Sequence, residues 1–596
     1  MTNISSNSAD VPAEVDIIVA GGGSAGCTLA ARLAKANPNV SILIIEAGIN
    51  NKDVASVIYP ALFLTNLVPG SKTAAFHKCS ASKHLNGREA IVPTGGCLGG
   101  GSSINCMMYG RGQAVDYDSW NTEGWRMADL LPLLKKTETY HGPDPNNTHG
   151  HDGEFHVSAG FASKPFMADC LNAVAQVGMK EVPDANDLVV ADGVQRWVNW
   201  IHPDTGLRQD AAHVLIHPLL ERGDTSLKIL TEHKVVKVLT EGGRAVGVEF
   251  APSAATASAS KVVRARKLVV LSSGALGTPS ILERSGIGNK SLLNSLNIPV
   301  VSDLPGVGEN YIDHTLLFNA YTTNSPPEDS FDPFLDGRRP FETEIAALSD
   351  ASKPRYIAWN SIDIAAKVRP TEVELATARP VFQEIWAKDF ADPTRPMAVM
   401  IFAPIHVGDH SNLPRKQYMS AVNFPSYSYS RGSIHITSVD ADAPANFDSG
   451  MLSHPWDVEA HVLSYKRQRE VIRRMKAFAG PDGIIAGPKF LDSGKAKHWP
   501  TDGSPTEYTK EDNDAIEDFV RSAVETCWHS AGTAAMKGRE DGGVVDSELN
   551  VYGVEGLKVA DISIMPSMVA ANVYSTALLV GEKAACIIAE ELGLDI

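Results

Sequence analysis

Residues able to hold a nucleotide stand near the start of the chain. Gly21, Gly23 and Gly26 follow the apolar run Val15-Asp-Ile-Ile-Val-Ala20, and Glu46 closes a second run, Ser41-Ile-Leu-Ile-Ile. This is the spacing of a dinucleotide-binding turn. Gly21 permits a tight turn, Gly23 lets the backbone approach a pyrophosphate, and Gly26 lets a helix pack closely on a sheet. Ser24 lies at the start of that helix, whose first N–H groups and positive dipole end suit phosphate. Glu46, 20 residues after Gly26, is placed to accept from ribose hydroxyls, which argues against a 2′-phosphate and hence against NADP. Between Gly95 and Gly101 there are five more glycines. So many exclude a regular element and suggest backbone lying against something flat or phosphorylated. The apolar residues that follow, Ile104, Met107 and Met108, imply burial.

The elements that must position these residues can be read in outline. Strand, glycine turn, helix and strand occupy 15–46. A turn-rich region follows to Arg88. Residues 120–139 have helical spacing at Leu130, Leu131 and Leu134. Residues 227–239 read as two short strands and 245–250 as another. Residues 267–272 form a continuous apolar strand that runs into a second strand-to-helix turn at Gly274. The proline-rich stretch 326–370 suggests a peripheral insertion. Residues 433–438 alternate like a half-exposed strand, 458–478 suggest an amphipathic helix, and 488–510 read as loop. Segments of nucleotide-binding character therefore lie near the start, middle and end, with strands of another sheet between them. No internal repeat is evident.

Composition narrows the function classes. The 596 residues suffice for two or three domains. A net charge of −17 disfavours nucleic acid and anionic membranes. The absence of HExxH and paired CxxC motifs argues for no metal. Seven cysteines are odd in number and scattered, which fits free thiols in a reducing compartment. No apolar run is long enough to span a membrane. The polar opening residues are unlike a secretory signal, and Leu-Gly-Leu-Asp-Ile is not a peroxisomal tripeptide ending. The expected location is intracellular, cytosolic or peroxisomal, and the Asn146-Asn147-Thr148 sequon is expected to be idle.

The motifs resemble those of the glucose–methanol–choline (GMC) family of FAD oxidoreductases, from Asp16 to about Leu592. Leu98-Gly99-Gly100-Gly101-Ser102-Ser103-Ile104-Asn105, with Tyr109, Gly112 and Asp118, fits the first family signature; Gly96 departs from its usual Arg, Lys or Asn. Gly274-Ala275, Thr278-Pro279, Ile281-Leu282 and Ser285-Gly286-Ile287-Gly288 fit the second. Trp528-His529-Ser530-Ala531-Gly532-Thr533 and Val559-Ala560-Asp561-Ile562-Ser563 are similar to the catalytic and flavin-binding segments, and Pro305-Gly306-Val307-Gly308-Glu309-Asn310 with Asp313-His314 also fits. Within the family the chain most resembles fungal alcohol oxidases of the methanol oxidase type, through residues 84–93, 99–112, 430–438 and 549–558.

The resemblance implies an α/β chain, α+β overall. A Rossmann-like FAD-binding domain (15–160, 215–318 and 525–596) would be interleaved with a substrate-binding domain on an antiparallel sheet (161–214 and 319–524), after a disordered lead (1–14). It implies oxidation of a primary alcohol to the aldehyde by hydride transfer to flavin N5, with O2 reduced to H2O2. His529 would be the base, since its pKa lies near working pH, and Asn572 would hydrogen-bond the substrate oxygen. Gly21, Gly23, Ser24, Gly26, Glu46, Gly100, Ser103, Asn105, Val235, Asp561 and Thr576 would bind FAD. Some relatives attach FAD through a His just before the motif Asn; that position is Ile104 here, which implies non-covalent FAD. Cys106 and Trp528 would face the substrate. Cys106 stands where methanol oxidases commonly carry Phe, which opens volume for longer aliphatic or aromatic alcohols. A dehydrogenase with a quinone-type acceptor and a non-redox hydroxynitrile lyase on the same fold are the alternatives. Homo-oligomerisation stays open.

Overall fold

The computed structural model describes residues 3–223, 225–254, 260–350, 352–500 and 502–595. Its first sheet is built on the strand Glu14–Ala20, whose Ile17, Ile18 and Val19 are all fully buried. Burial on both faces explains an unbroken apolar run where a half-exposed strand would alternate. The strand order is Ile4–Ser5, Leu227–Leu230, Ile42–Ile45, Glu14–Ala20, Lys261–Leu271, Arg244–Pro252, His233–Glu241. The first five pair in parallel, and the last two add an antiparallel hairpin. Leu557–Val559 returns from the far end of the chain to pair in parallel with Lys261–Leu271. This is a Rossmann-like arrangement.

Two helices far apart in sequence, Ser24–Ala36 and Tyr574–Leu592, pack against each other beside this sheet. Gly581 makes their approach possible: a Cβ there would lie 2.7 Å from the carbonyl oxygen of Ala25. The buried Arg32 pairs with Glu582 at 2.7 Å and with Glu154 at 2.6 Å. Two carboxylates thus offset the desolvation of one guanidinium.

The second sheet is antiparallel, in the order Ile484–Ala486, Thr315–Thr323, Gln417–Pro425, Ala398–Ala403, Ile364–Val368, Gly193–Arg196. Side-chain alternation gives it two faces. Met400, Phe402, Met419 and Ala421 pack with Trp456, Ala460 and Leu463 of the helix Pro455–Ile472. Val399, Ile401, Val422 and Phe424 point the other way and join Met108, Leu316 and Cys527.

Several expectations are corrected. Residues 3–14 are not a disordered lead: Ile4–Ser5 extends the first sheet and Ser8–Asp10 forms a short 3-10 turn capped by Asn7. The boundary expected at 318 falls inside the strand Thr315–Thr323, which lies wholly in the second sheet. Glu525–Thr526, expected to begin the last nucleotide-binding segment, pairs with that same strand. Residues 326–370 are not all peripheral, since Ile364–Val368 is a fully buried inner strand. The helix in 120–139 is confined to Met127–Thr137. The helix expected at 458–478 is Pro455–Ile472, and it is buried nearly all round. Its polar residues are matched by partners no local pattern reveals: His461 Nδ1 lies 2.7 Å from Asn423 Oδ1, and Gln468 Nε2 donates to the Val422 carbonyl at 2.7 Å. Among the described residues no helix is long and apolar enough to cross a membrane.

Candidate active site

A cavity of about 1430 Å³ runs from the C-terminal end of the first sheet to the Ile401–Val422–Phe424 face of the second. At its first end the glycines do what their spacing suggests. Gly21 has φ +107°, open to glycine at little cost, and a Cβ there would lie 2.4 Å from the Ser272 carbonyl oxygen. A Cβ on Gly26 would lie 2.3 Å from the Gly21 oxygen, so the helix can only sit this close with glycine. Gly100, at φ +57°, brings the second glycine-rich loop against the first: a Cβ on it would be 2.7 Å from Gly23 Cα. Gly23 is the N-cap and supplies no capping side chain, so the first N–H groups of the helix keep their capacity for an anion. Both carboxylate oxygens of Glu46 are in use: Oε2 accepts from Gly22 N–H and Oε1 from Gly48 N–H, each at 2.8 Å. Val235 lines the wall near Glu46 and His233. Nested glycines, an uncapped helix start and an acid at the strand end fit an FAD pyrophosphate and ribose.

At the second end His529 and Asn572 meet, 43 residues apart in sequence, with Asn572 Nδ2 3.3 Å from His529 Nε2. Asp313 anchors this segment: its Oδ1 accepts the His529 backbone N–H at 2.9 Å, and its Oδ2 accepts from the hydroxyls of Thr526 and Tyr311. Burial pushes the Asp313 carboxyl up to about 7 against those hydrogen bonds. Burial, and next the repulsion of His314, hold the His529 imidazole well below its ordinary value. His529 is therefore neutral near pH 7.

His314 fixes the tautomer. Its Nε2 lies 3.0 Å from the Ser426 carbonyl oxygen, which can only accept, so Nε2 carries the hydrogen. Burial pushes His314 down to about 4, so the ring is neutral and its Nδ1 is a lone pair. That lone pair faces His529 Nδ1 at 2.8 Å. His529 must then carry its hydrogen on Nδ1, which leaves Nε2 unprotonated and turned toward Asn572. The arrangement holds a base, with an amide donor beside it, at the cavity wall.

Asn105, Cys106, Trp528 and Asp561 also line the cavity. Asn105 Oδ1 accepts from Met107 N–H at 2.9 Å and from Arg208 Nη1 at 2.8 Å. Asp561 accepts from Gly274 N–H, Thr278 Oγ1 and Ser563 N–H at 2.7–2.9 Å, and burial raises its pKa. Three expected contacts are not brought to the wall. Gly26 packs against the Gly21 turn, while Ser24 and Ala25 line the cavity. Ser103 is fully buried behind the loop, donating to the Leu98 carbonyl at 2.9 Å; its neighbour Ser102 contributes to the wall, with its hydroxyl donating to the Gly99 carbonyl at 2.6 Å. Thr576 Oγ1 is fully buried 2.8 Å from the Tyr117 hydroxyl, while Tyr574 and Ala577 of the same helix reach the cavity.

Sequence reasoning missed His314, Arg208 and Cys527. His314 was visible as part of the Asp313-His314 match but was assigned no task. Arg208 carries no local signal: it comes from a distant loop and donates to the carbonyls of Ser102 and Asn105 at 3.2 and 2.7 Å, pinning the second glycine loop. Cys527 Sγ lies 3.9 Å from His529 Nε2. Met107, Ser361 and Trp528 line the cavity with φ of +60°, +63° and +61°. Such left-handed backbone in non-glycine residues concentrates at functional sites.

Against the expectation of no metal ligands, Asp144, His149 and Asp184 bring ligand atoms within 4.8 Å of one another. The histidine is already engaged on both sides, Nδ1 with Glu138 at 2.9 Å and Nε2 with Asp184 at 3.0 Å, and Arg111 Nη1 lies 3.6 Å from Glu138. The group forms a buried ion network.

The fold, and a single cavity that holds both the glycine cradle and the His529–Asn572 pair, together define a dinucleotide-binding oxidoreductase. The chain belongs to the GMC oxidoreductase family: residues 15–316 match the N-terminal family model and 428–581 the C-terminal one. It is 40% identical to an alcohol oxidase of Candida boidinii, over 98% of this chain and 96% of that protein. It is 32% identical to the mitochondrial choline dehydrogenase of Homo sapiens, over 96% and 90%. Among solved structures, an FAD-dependent oxidoreductase from Chaetomium thermophilum superposes with a TM-score of 0.81 at 28% identity, covering 98% of this chain and all of that one.

Proposed function

We propose that this protein is an FAD-dependent alcohol oxidase that converts a primary alcohol larger than methanol to its aldehyde and reduces O2 to H2O2. The observation that carries the reading is the His529–Asn572 pair, with Nε2 deprotonated and 3.3 Å from the amide nitrogen, in the cavity that also holds the glycine cradle. His529 Nε2 takes the hydroxyl proton, and Asn572 Nδ2 donates to the substrate oxygen and orients it. Gly21, Gly23 and the Gly100 loop would hold FAD, which when bound would supply the two-electron acceptor for the α-carbon hydride, with O2 as the final oxidant. The relationship to the Candida boidinii alcohol oxidase supports this chemistry.

FAD is held non-covalently in this reading, because Ile104 offers no nucleophile at the position where relatives can attach it. Acid denaturation should release the flavin into the supernatant. The reading as a whole is tested by purifying the holoenzyme and following peroxide on mixing with primary alcohols in air. The choline dehydrogenase relationship keeps one other reading in play. Flavin bleaching by an alcohol under argon, without peroxide in air, would favour a dehydrogenase; no bleaching by any alcohol would sink both.

A further inference from the structure

The second sheet supplies more of the cavity than catalysis needs. Its cavity-facing side chains form rows across paired strands. Leu316 and Phe424 make the first row, with the Phe424 ring centroid 6.0 Å from that of His529. Phe318, Val422 and Ile401 are direct register partners and make the second row; Ala403 continues onto a third. Rows on one face are two residues apart, so three rows span roughly 13 Å along the strands. Beyond Ala403 the chain bends but keeps presenting alternate apolar residues, Ile405 and Val407, to the same cavity. Ile405 is 1% exposed, Val407 is half-buried and Gly408 is exposed. The apolar floor therefore runs from the base to the surface, and Phe63 of the turn Pro60–Leu67 lines the same cavity.

We infer that this floor is the seat of a long unbranched hydrocarbon tail, so that the substrate class is monohydric aliphatic primary alcohols of medium to long chain. The inference rests on the alcohol oxidase reading and deepens it. The charged side chains that line the cavity are Glu46, Lys72, Glu232, Lys234, Arg284 and Asp561, none of them on this floor. A polyol would bury hydroxyls against it without partners, a costly arrangement. A single aromatic ring would cover the first row or two and leave Ala403 to Val407 unused. A flexible chain can follow the floor through its bend to the exposed end.

The test is a series of methanol, ethanol, n-hexanol, n-decanol and benzyl alcohol on the holoenzyme, followed by peroxide and by anaerobic flavin reduction. The expected result is kcat/KM rising by up to about fourfold per methylene from ethanol to n-hexanol, with n-hexanol above benzyl alcohol. Ala403→Phe, which narrows the third row, should lower the n-decanol to ethanol ratio at least tenfold; Val407→Trp at the exposed end repeats the measurement at a site more tolerant of bulk. A flat profile with ethanol still active, a preference for benzyl alcohol, or ratios unmoved in both variants overturns the tail site and leaves alcohol oxidation standing. Failure of every alcohol to reduce the flavin overturns the alcohol oxidase reading itself.

Discussion

His314 and His529 meet Nδ1 to Nδ1 at 2.8 Å, with their ring planes 81° apart. One of the two nitrogens must donate, and the Ser426 carbonyl on the far side of His314 decides which. Replacing His314 with Phe removes the acceptor and frees His529 to adopt the wrong tautomer. The expected loss in the rate of anaerobic flavin reduction is about ten- to hundredfold, the usual size for losing a partner that orients a histidine. Gln at this position can accept from His529 and donate to Ser426, so His314→Gln should keep more activity than His314→Phe. Equal rates for the two variants would mean that His314 merely fills space.

His529→Ala should slow flavin reduction by about a hundred- to ten-thousandfold, the span for a lost general base. Flavin content should stay near wild type, because the glycine cradle lies in a different part of the cavity. Stopped-flow absorbance measures the first and the ratio of flavin to protein absorbance the second.

The pH profile has a defined sign. His529 works as a base only when neutral, and burial places its pKa well below the ordinary histidine value of 6.5. Activity is therefore full above that lowered pKa and is lost only as pH falls through it. The acid limb of kcat/KM should lie below pH 6.5, and should be absent from the residual activity of His529→Ala. An acid limb centred at or above 6.5 that persists in Asp313→Asn, which removes the carboxyl that burial raises to about 7, would show that His529 is not the buried, neutral base described.

Cys106 is half-buried at the cavity wall and packs with the Leu316–Val422 cluster. Cys106→Phe should shift the ratio of kcat/KM values for ethanol and n-hexanol toward ethanol, by about tenfold or more for the loss of one to two methylenes' worth of room. An unchanged ratio would reduce Cys106 to a small core residue.

Gly26→Ala places a methyl group 2.3 Å from the Gly21 oxygen. Helix and turn must move apart, at about 1–3 kcal/mol, and the cradle opens with them. The expected outcome is a lower midpoint in thermal unfolding together with weaker flavin retention on dialysis. A variant with wild-type stability and flavin content would contradict the close approach.

The sequence by itself determined what is local. The glycine turn at 21–26, the strands around it and the strand-to-helix turn at Gly274 depend on backbone conformations that a few neighbouring residues dictate, and they stand where the spacing puts them. The match of residues 529 and 572 to family segments singled out the pair proposed to react, and the structure brings the two side chains together. Tertiary structure decided which side each residue turns. Ser102 and Ser103 sit on one short helical turn, and its docking selects which contributes to the cavity wall. Thr576 and Tyr574 are separated by the same kind of choice. The tertiary fold also decided the tautomer of His529, because the four atoms that settle it come from His529, His314 and Ser426, on segments that the antiparallel sheet brings together. Buried hydrogen bonds between such segments depend on three-dimensional position, which periodicity and motif spacing do not encode.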